Sequence, residues 1–265
     1  MKTRRSIFDR MIRLVRPALL AGFAPPPTQL ATNLWTIDRR LRMPGGPILP
    51  TRTTIVVLDD GGLLVISPPP VEAGGLEALD AIGPVRHVLV PNSFHHLNAG
   101  RFMSHYPDAS FWAAPGLFSR VPGLPAGSEI TESAPREWSG AVELAILQPT
   151  SEVSEVALFH RKSATLVLTD LAFHMVRFSG VGEKLLWLLS GVPPAFGPSR
   201  TARMLLLRDR RLSEPFLRRI AEWPFQRILV AHGDPVDVDA RAVFRRAFAA
   251  WLPAAREGDA LRSTT

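Results

Sequence analysis

Cysteine is absent from the 265 residues. That excludes disulfides and thiolate ligands, and leaves His, Asp, Glu, Asn or water to hold any metal. Lysine occurs only at positions 2, 162 and 184, so arginine carries nearly all the basic charge. No stretch approaches the roughly 20 apolar residues that a membrane span needs. No short internal repeat and no low-complexity tract is visible.

What remains is 46% hydrophobic. A chain of this length can bury one sizeable core, and two small domains are equally compatible with it. The net charge of +7 attracts phosphate, nucleic acid or anionic lipid without regard to sequence. Arginine richness beside 25 prolines is also what a GC-rich genome encodes. No aromatic-basic motif accompanies the charge, so no specific nucleic-acid partner is expected.

Residues 1–28 are read as a basic amphipathic segment ending in the linker Pro25-Pro26-Pro27. Phe8, Met11, Ile12, Val15 and Leu19 recur at helical spacing, whereas Arg13 and Arg16 interrupt any uncharged signal-peptide core. Such a pattern suits a membrane surface, so residues 1–20 are a candidate peripheral contact on a chain expected in the cytoplasm. A helix packed on its own domain is the alternative. Residues 29–252 are read as the main domain, and 253–265 as a tail.

Within that domain, strands are expected at 33–38, 53–67 (a hairpin turning on Asp60-Gly61), 85–91 and 109–114. A second series falls at 141–148, 155–160, 164–170 and 226–233. Helices are expected at 74–83 and 98–106, at 182–191 as a buried helix, after Ser213 with Phe216, Ile220 and Trp223 on one stripe, and around Phe244, Phe248 and Trp251. The arginine-dense 205–219 reads as a solvated face. Two runs of strands, each finished by helices, predict two packed sheets with helices outside.

Three polar clusters end predicted strands: Asn92 to His96 in "VPNSFHHLNAG", Asp170 in "TLVLTD", and His232-Gly233-Asp234 in "LVAHGD". Strand ends bring distant side chains together, as a catalytic site requires. Two His and one carboxylate suit Zn or Fe and leave a coordination position for water. His174 is a further candidate if the chain turns helically after Asp170. His87, His105 and His160 are read as structural, and Phe173 to Leu189 as a pocket wall, a membrane-facing flap or an ordinary buried helix.

The order of elements, with "PNSFHH", "TLVLTD" and "AHG", resembles the metallo-β-lactamase fold superfamily over residues 31–252, and most closely an uncharacterised branch of it. The resemblance implies an α/β, four-layer αββα sandwich. It also implies a strand ending in T-H-x-H-x-D-H-x-G-G, a bridging Asp and a final G-H-G. Laid without a gap, Asn92 takes the first His position, Phe94 the second, His96 the Asp and Leu97 the last His. Asp170 matches the bridging Asp, and His232 the final His. Phe94 and Leu97 cannot bind metal, "LQPTSEVSE" supplies no loop His, and Ser67 stands where an early family Asp is expected. A register shifted by one puts His95 on the Asp position and His96 on the last His.

The resemblance thus implies a reduced site for one divalent metal, with His96, Asp170 and His232 as ligands. Asn92 or His95 would polarise the substrate, and Asp234 would orient a ligand His. The expected activity is metal-dependent hydrolysis of a small-molecule ester, thioester or lactone. The alternative is a non-catalytic binding or scaffold protein on the same fold, peripheral to a membrane.

Overall fold

Period-two alternation of apolar residues along the strands builds two sheets, each with one face toward the other and one toward helices. The computed structural model describes residues 24–43, 46–71, 75–148 and 153–252. The first sheet has β1 (Thr28–Ala31), β2 (Leu34–Arg42), β3 (Ile48–Val57), β4 (Leu63–Ile66), β5 (Val85–Val90), β6 (Ser110–Ala113) and β7 (Ser128–Glu129), in that spatial order. β1 to β4 pair antiparallel, and β4 to β7 pair parallel. Helices α1 (Gly75–Asp80), α2 (Ala99–His105) and α3 (Leu117–Arg120) lie in the parallel crossovers.

The second sheet has β8 (Val142–Leu147), β9 (Glu155–His160), β10 (Thr165–Leu168) and β11 (Arg227–Val230), in the order β11-β10-β9-β8. β10 and β11 run parallel; the other pairs are antiparallel. Between them come α4 (Val181–Leu189), α5 (Arg200–Leu205) and α6 (Arg210–Glu222), and α7 (Ala240–Ala247) follows β11.

Neighbouring residues divide between the layers. On β5, Leu89 faces the second sheet while Val88 and Val90 face Phe102 and Leu79 of the outer helices. On β10, Val167 joins the inter-sheet core, while Leu166 and Leu168 pack outward with Phe216, Ile220 and Phe244. The four-layer αββα arrangement implied by the sequence is the one observed.

Three readings change. The arginine-dense segment 205–219 is not simply a solvated face, because Leu206, Leu207, Phe216 and Leu217 are buried. Its arginines take the outer side of an amphipathic helix that Asp209 caps through Arg211 N. The run at 182–191 is not a buried helix either. No residue of α4 is buried, and Val181, Leu185 and Leu189 are 84%, 55% and 66% exposed. Residues 170–174 are not helical: Phe173 bridges Gly197 and His174 bridges Gly233. The amphipathic segment at 1–20 and the tail at 253–265 lie outside the described residues. Among the described residues, no helix is long and apolar enough to cross a membrane.

Arg52 on β3 ties the two sheets together where their strands end. Its Nη1 donates to the carbonyls of Val230 (2.5 Å) and Gly233 (3.1 Å), and its Nε to Asp38 (2.6 Å). The side chain is 9% exposed, so water would replace these bonds poorly. Arg52→Met is expected to lower the unfolding free energy by roughly 2–3 kcal/mol in a urea titration. An unchanged midpoint would mean that the clamp contributes nothing.

Candidate functional site

Three strand ends converge at one point between the sheets. β5 leads into Asn92 and His95, β10 into Asp170, and β11 into His232. His95 Nε2 lies 3.1 Å from Asp170 Oδ2, and His232 Nε2 lies 3.3 Å from Asp170 Oδ1. One ligand atom from each residue falls within 4.8 Å of the others, a grouping able to hold a metal ion. Ligands on one ion at bonds of about 2 Å sit roughly 3–4 Å apart, so the imidazoles have about an ångström to close.

The local geometry favours Nε2 as the donor of His232. Its Nδ1 is 2.8 Å from the carbonyl of Pro50, which can only accept, so Nδ1 carries a proton and Nε2 points at Asp170. The ring of Phe173 stacks on the imidazole at 4.8 Å and 20°. Gly233 must be glycine: its φ is +119°, and a Cβ there would lie 2.1 Å from the carbonyl oxygen of His174. That close approach lets His174 N donate to His232 O and Asp234 N to His174 O, which fixes the backbone on both sides of Gly233.

Asp170 is held from beneath. Asn92, fully buried, donates its Nδ2 group to Asp170 Oδ2 (2.7 Å), Glu155 Oε2 (2.7 Å) and Thr169 Oγ1 (3.1 Å). Its Oδ1 accepts from the amides of Phe94 and His95, shaping the turn that carries His95. Glu155 accepts at Oε1 from Thr169 N, Thr169 Oγ1 and Leu171 N. Burial and the charge of Asp170 push its carboxyl up to about 7, against those hydrogen bonds.

Burial also opposes the charge on Asp170, yet His95 and His232 beside it hold that carboxyl far below the usual range. Burial works to lower the pKa of His232, and the bonds to Asp170 and Pro50 outweigh it, so the net shift is upward.

The structure places five of the candidate residues differently from the sequence reading. His96 does not join the cluster: its Nδ1 lies 2.6 Å from Ser93 O, which turns the ring onto its own loop, and His95 takes the place assigned to it. His95 is therefore inside the cluster rather than beside it as a substrate-polarising group. Asn92 does not face substrate, because every polar atom of its buried amide is engaged with the protein. Asp234 orients no ligand His through its carboxylate, which pairs with Arg177. His174 also stays out, its Nδ1 lying 2.8 Å from Asp234 O.

Glu155 was missed as a site residue. It opens β9 in the segment where a loop His was sought, and only its position at the start of a fully buried strand marks it. Of the residues read as structural, His160 Nδ1 is 2.7 Å from Ser163 Oγ, and His87 sits against Trp112 and Trp138.

A cavity of about 410 Å³ opens beside the cluster, lined by His95, Asp170, His232, the β2–β3 hairpin, α4 and α5. Phe94 and Leu97, in positions where the resemblance implies metal ligands, line it instead.

The sandwich and the strand-end cluster together define a metallo-β-lactamase fold. The DIM-1 metallo-β-lactamase is 14% identical with a TM-score of 0.58, covering 86% of this chain and 99% of that one. A diflavin flavoprotein A 5 fragment from Nostoc sp. PCC 7120 is 13% identical with a TM-score of 0.60, covering 85% and 94%. The Flv1 flavodiiron core from Synechocystis sp. PCC6803, described as metal soaked, is 13% identical with a TM-score of 0.58, covering 85% and 60%. A family model described as "Domain of unknown function (DUF4336)" matches residues 31–178, and the chain belongs to that family. No curated protein matches it in sequence.

The three shifts predict how stability depends on pH when the protein is kept metal-free by chelator. Asp170, lowered, stabilises above its ordinary 3.8 and loses that contribution only as pH falls far below it. Glu155, raised from 4.5 to about 7, costs stability as pH rises between those values. His232, raised from 6.5, stabilises fully below 6.5 and loses this as pH rises through its folded value. The chelated protein is therefore expected to be more stable to urea near pH 5 than near pH 8, with Asp170→Asn flattening the difference. Equal stability at the two pH values would contradict this assignment of charges.

Proposed function

We propose that this protein is a metal-dependent hydrolase with a single divalent ion, zinc or iron, held by His95, Asp170 and His232. The observation that carries the reading is the convergence of these three groups within 4.8 Å at the ends of β5, β10 and β11, with the second nitrogen of His232 bonded to Pro50 O. A ligating imidazole ordinarily has its other nitrogen fixed in this way. When bound, such an ion polarises a carbonyl and lowers the pKa of a coordinated water toward neutrality.

The protein's own groups orient and shield. Asn92 and Glu155 lock the carboxylate of Asp170 against rotation, and Phe173 covers one face of His232. The adjoining cavity admits a small-molecule ester, thioester or lactone and limits the water around it. The rival is a non-catalytic binding or scaffold protein on the same fold, with residues 1–20 as a peripheral membrane contact.

Metal content separates the two. Purified without a metal-binding tag, the protein is expected to carry close to one zinc or iron per chain by elemental analysis. His95→Ala, Asp170→Ala and His232→Ala should lose it, whereas His96→Ala should keep it. Asn92→Ala should weaken metal affinity roughly tenfold to hundredfold. A parent protein that takes up no metal under varied growth conditions would leave the scaffold reading standing and this one without support.

A further inference from the structure

The cavity above the cluster is built for an amphiphile. Leu49, Phe94, Leu97, Phe173, Trp187 and Leu206 are among its walls, and its volume of about 410 Å³ is that of a small-molecule pocket. Phe94 and Leu97, which flank the loop that carries His95, bring apolar wall up to the cluster itself. At one end lie the polar groups of His95, Asp170 and His232. Three further polar atoms belong to residues of the same cavity, are buried and have no partner: Ser67 Oγ, Asn98 Oδ1 and Trp187 Nε1. Ser67 is 6% exposed. Asn98 sits at the N-terminus of α2, where an Asn side chain ordinarily caps, yet makes no cap bond. None of the three has more than 1 Å² of accessible surface, so a ligand in the cavity would meet the apolar walls around them instead.

The wall contributed by α4 fits the same ligand. Trp187 and Ser190 line the cavity, while Val181, Leu185 and Leu189 of the same helix are exposed. Glu183 fixes this helix to the hairpin: its Oε1 accepts from Ile48 N at 2.6 Å, and its Oε2 from Ser179 N and Oγ at 2.6 Å each.

We infer that the substrate is an acyl ester, thioester or lactone with a long apolar chain, the chain filling the cavity between the β2–β3 hairpin, α4 and α5 and the carbonyl lying at His95, Asp170 and His232. This rests on the hydrolase reading above and names its substrate class. In the reaction the oxygen of water bonds to the carbonyl carbon and the bond to the leaving oxygen or sulfur breaks. One proton of the water goes to the leaving group and the other is released from the acid formed.

The test uses the full chain and cis-parinaric acid, a fatty acid that fluoresces in apolar surroundings. Saturable binding of one molecule per chain is expected, displaced by dodecanoate and not by acetate. Asp170→Ala should retain this binding while losing metal. Leu49→Trp and Leu97→Trp, which fill the cavity from two sides, should weaken it roughly tenfold or more with metal content unchanged. In the metal-loaded protein, kcat/KM for p-nitrophenyl esters should rise roughly tenfold or more from acetyl to octanoyl. Binding that never saturates, or that both folded tryptophan variants keep in full, overturns the inference. Metal-dependent hydrolysis indifferent to chain length overturns it too and leaves the hydrolase reading intact. Saturable, dodecanoate-sensitive binding by a protein that takes up no metal supports the chain site and removes the hydrolase reading.

Discussion

Two carboxylates, Glu155 and Asp170, stand on either side of the Asn92 amide, whose Nδ2 is 2.7 Å from an oxygen of each. Like charges so placed in a dry interior repel strongly, and the amide group between them supplies the positive end of a dipole to both. The same residue uses its oxygen to set the turn that aims His95. Asn92 therefore couples three things that would otherwise be independent: the rotamer of Asp170, the charge state of Glu155 and the direction of an imidazole. A carboxylate at that position would add a third negative charge, and an alanine would remove the one donor that both existing ones share.

The upper side of Asp170 is met by His95 and His232, which face its two oxygens separately. Nε2 of His232 faces a carboxylate oxygen and Nδ1 a carbonyl, so its surroundings favour the doubly protonated ring, in keeping with its raised pKa. A divalent cation would take the place of that Nε2 proton. Either a proton or a cation would therefore satisfy the carboxylate at this point. The cost is pH dependence, since the proton form is lost as pH rises.

Much of the architecture was legible, because β-branched runs and their period declare strands directly. The runs at 142–147, 155–160 and 165–168 are mostly apolar, and the structure buries them on both faces apart from the half-buried Glu143. Asp170 and His232 were legible as strand-end polar residues for the same reason. His95 against His96 was not. The two are adjacent, and what separates them is the Asn92 Oδ1 bonds to the amides of residues 94 and 95 and the contact of His96 with Ser93 O, which a linear motif does not encode. Glu155 was hidden because a carboxylate at the head of a strand normally signals solvent, and here its four donors lie in remote segments. Helix α4 misled in the opposite sense: apolar nearly all round, it reads as core, yet none of its residues is buried among the described residues.

The division between rigid and replaceable parts of the site follows the strand pairing. β10 and β11 are hydrogen-bonded neighbours in parallel register, with Leu168 opposite Val230, so Asp170 and His232 leave adjacent strands two residues beyond that pair. Their separation is set by the ladder and reinforced by Arg52, which holds Val230 O and Gly233 O. His95 comes from the other sheet by way of a loop, and its place depends on side-chain bonds to Asn92 rather than on pairing. A site assembled this way tolerates change on the loop side far more readily than on the ladder side. The two sides differ accordingly: Asp170 and His232 leave paired strands, whereas His95 sits on a loop beside Phe94 and Leu97. Phe94 and Leu97, on that same loop, line the cavity beside the cluster, so the loop that places His95 also supplies apolar wall.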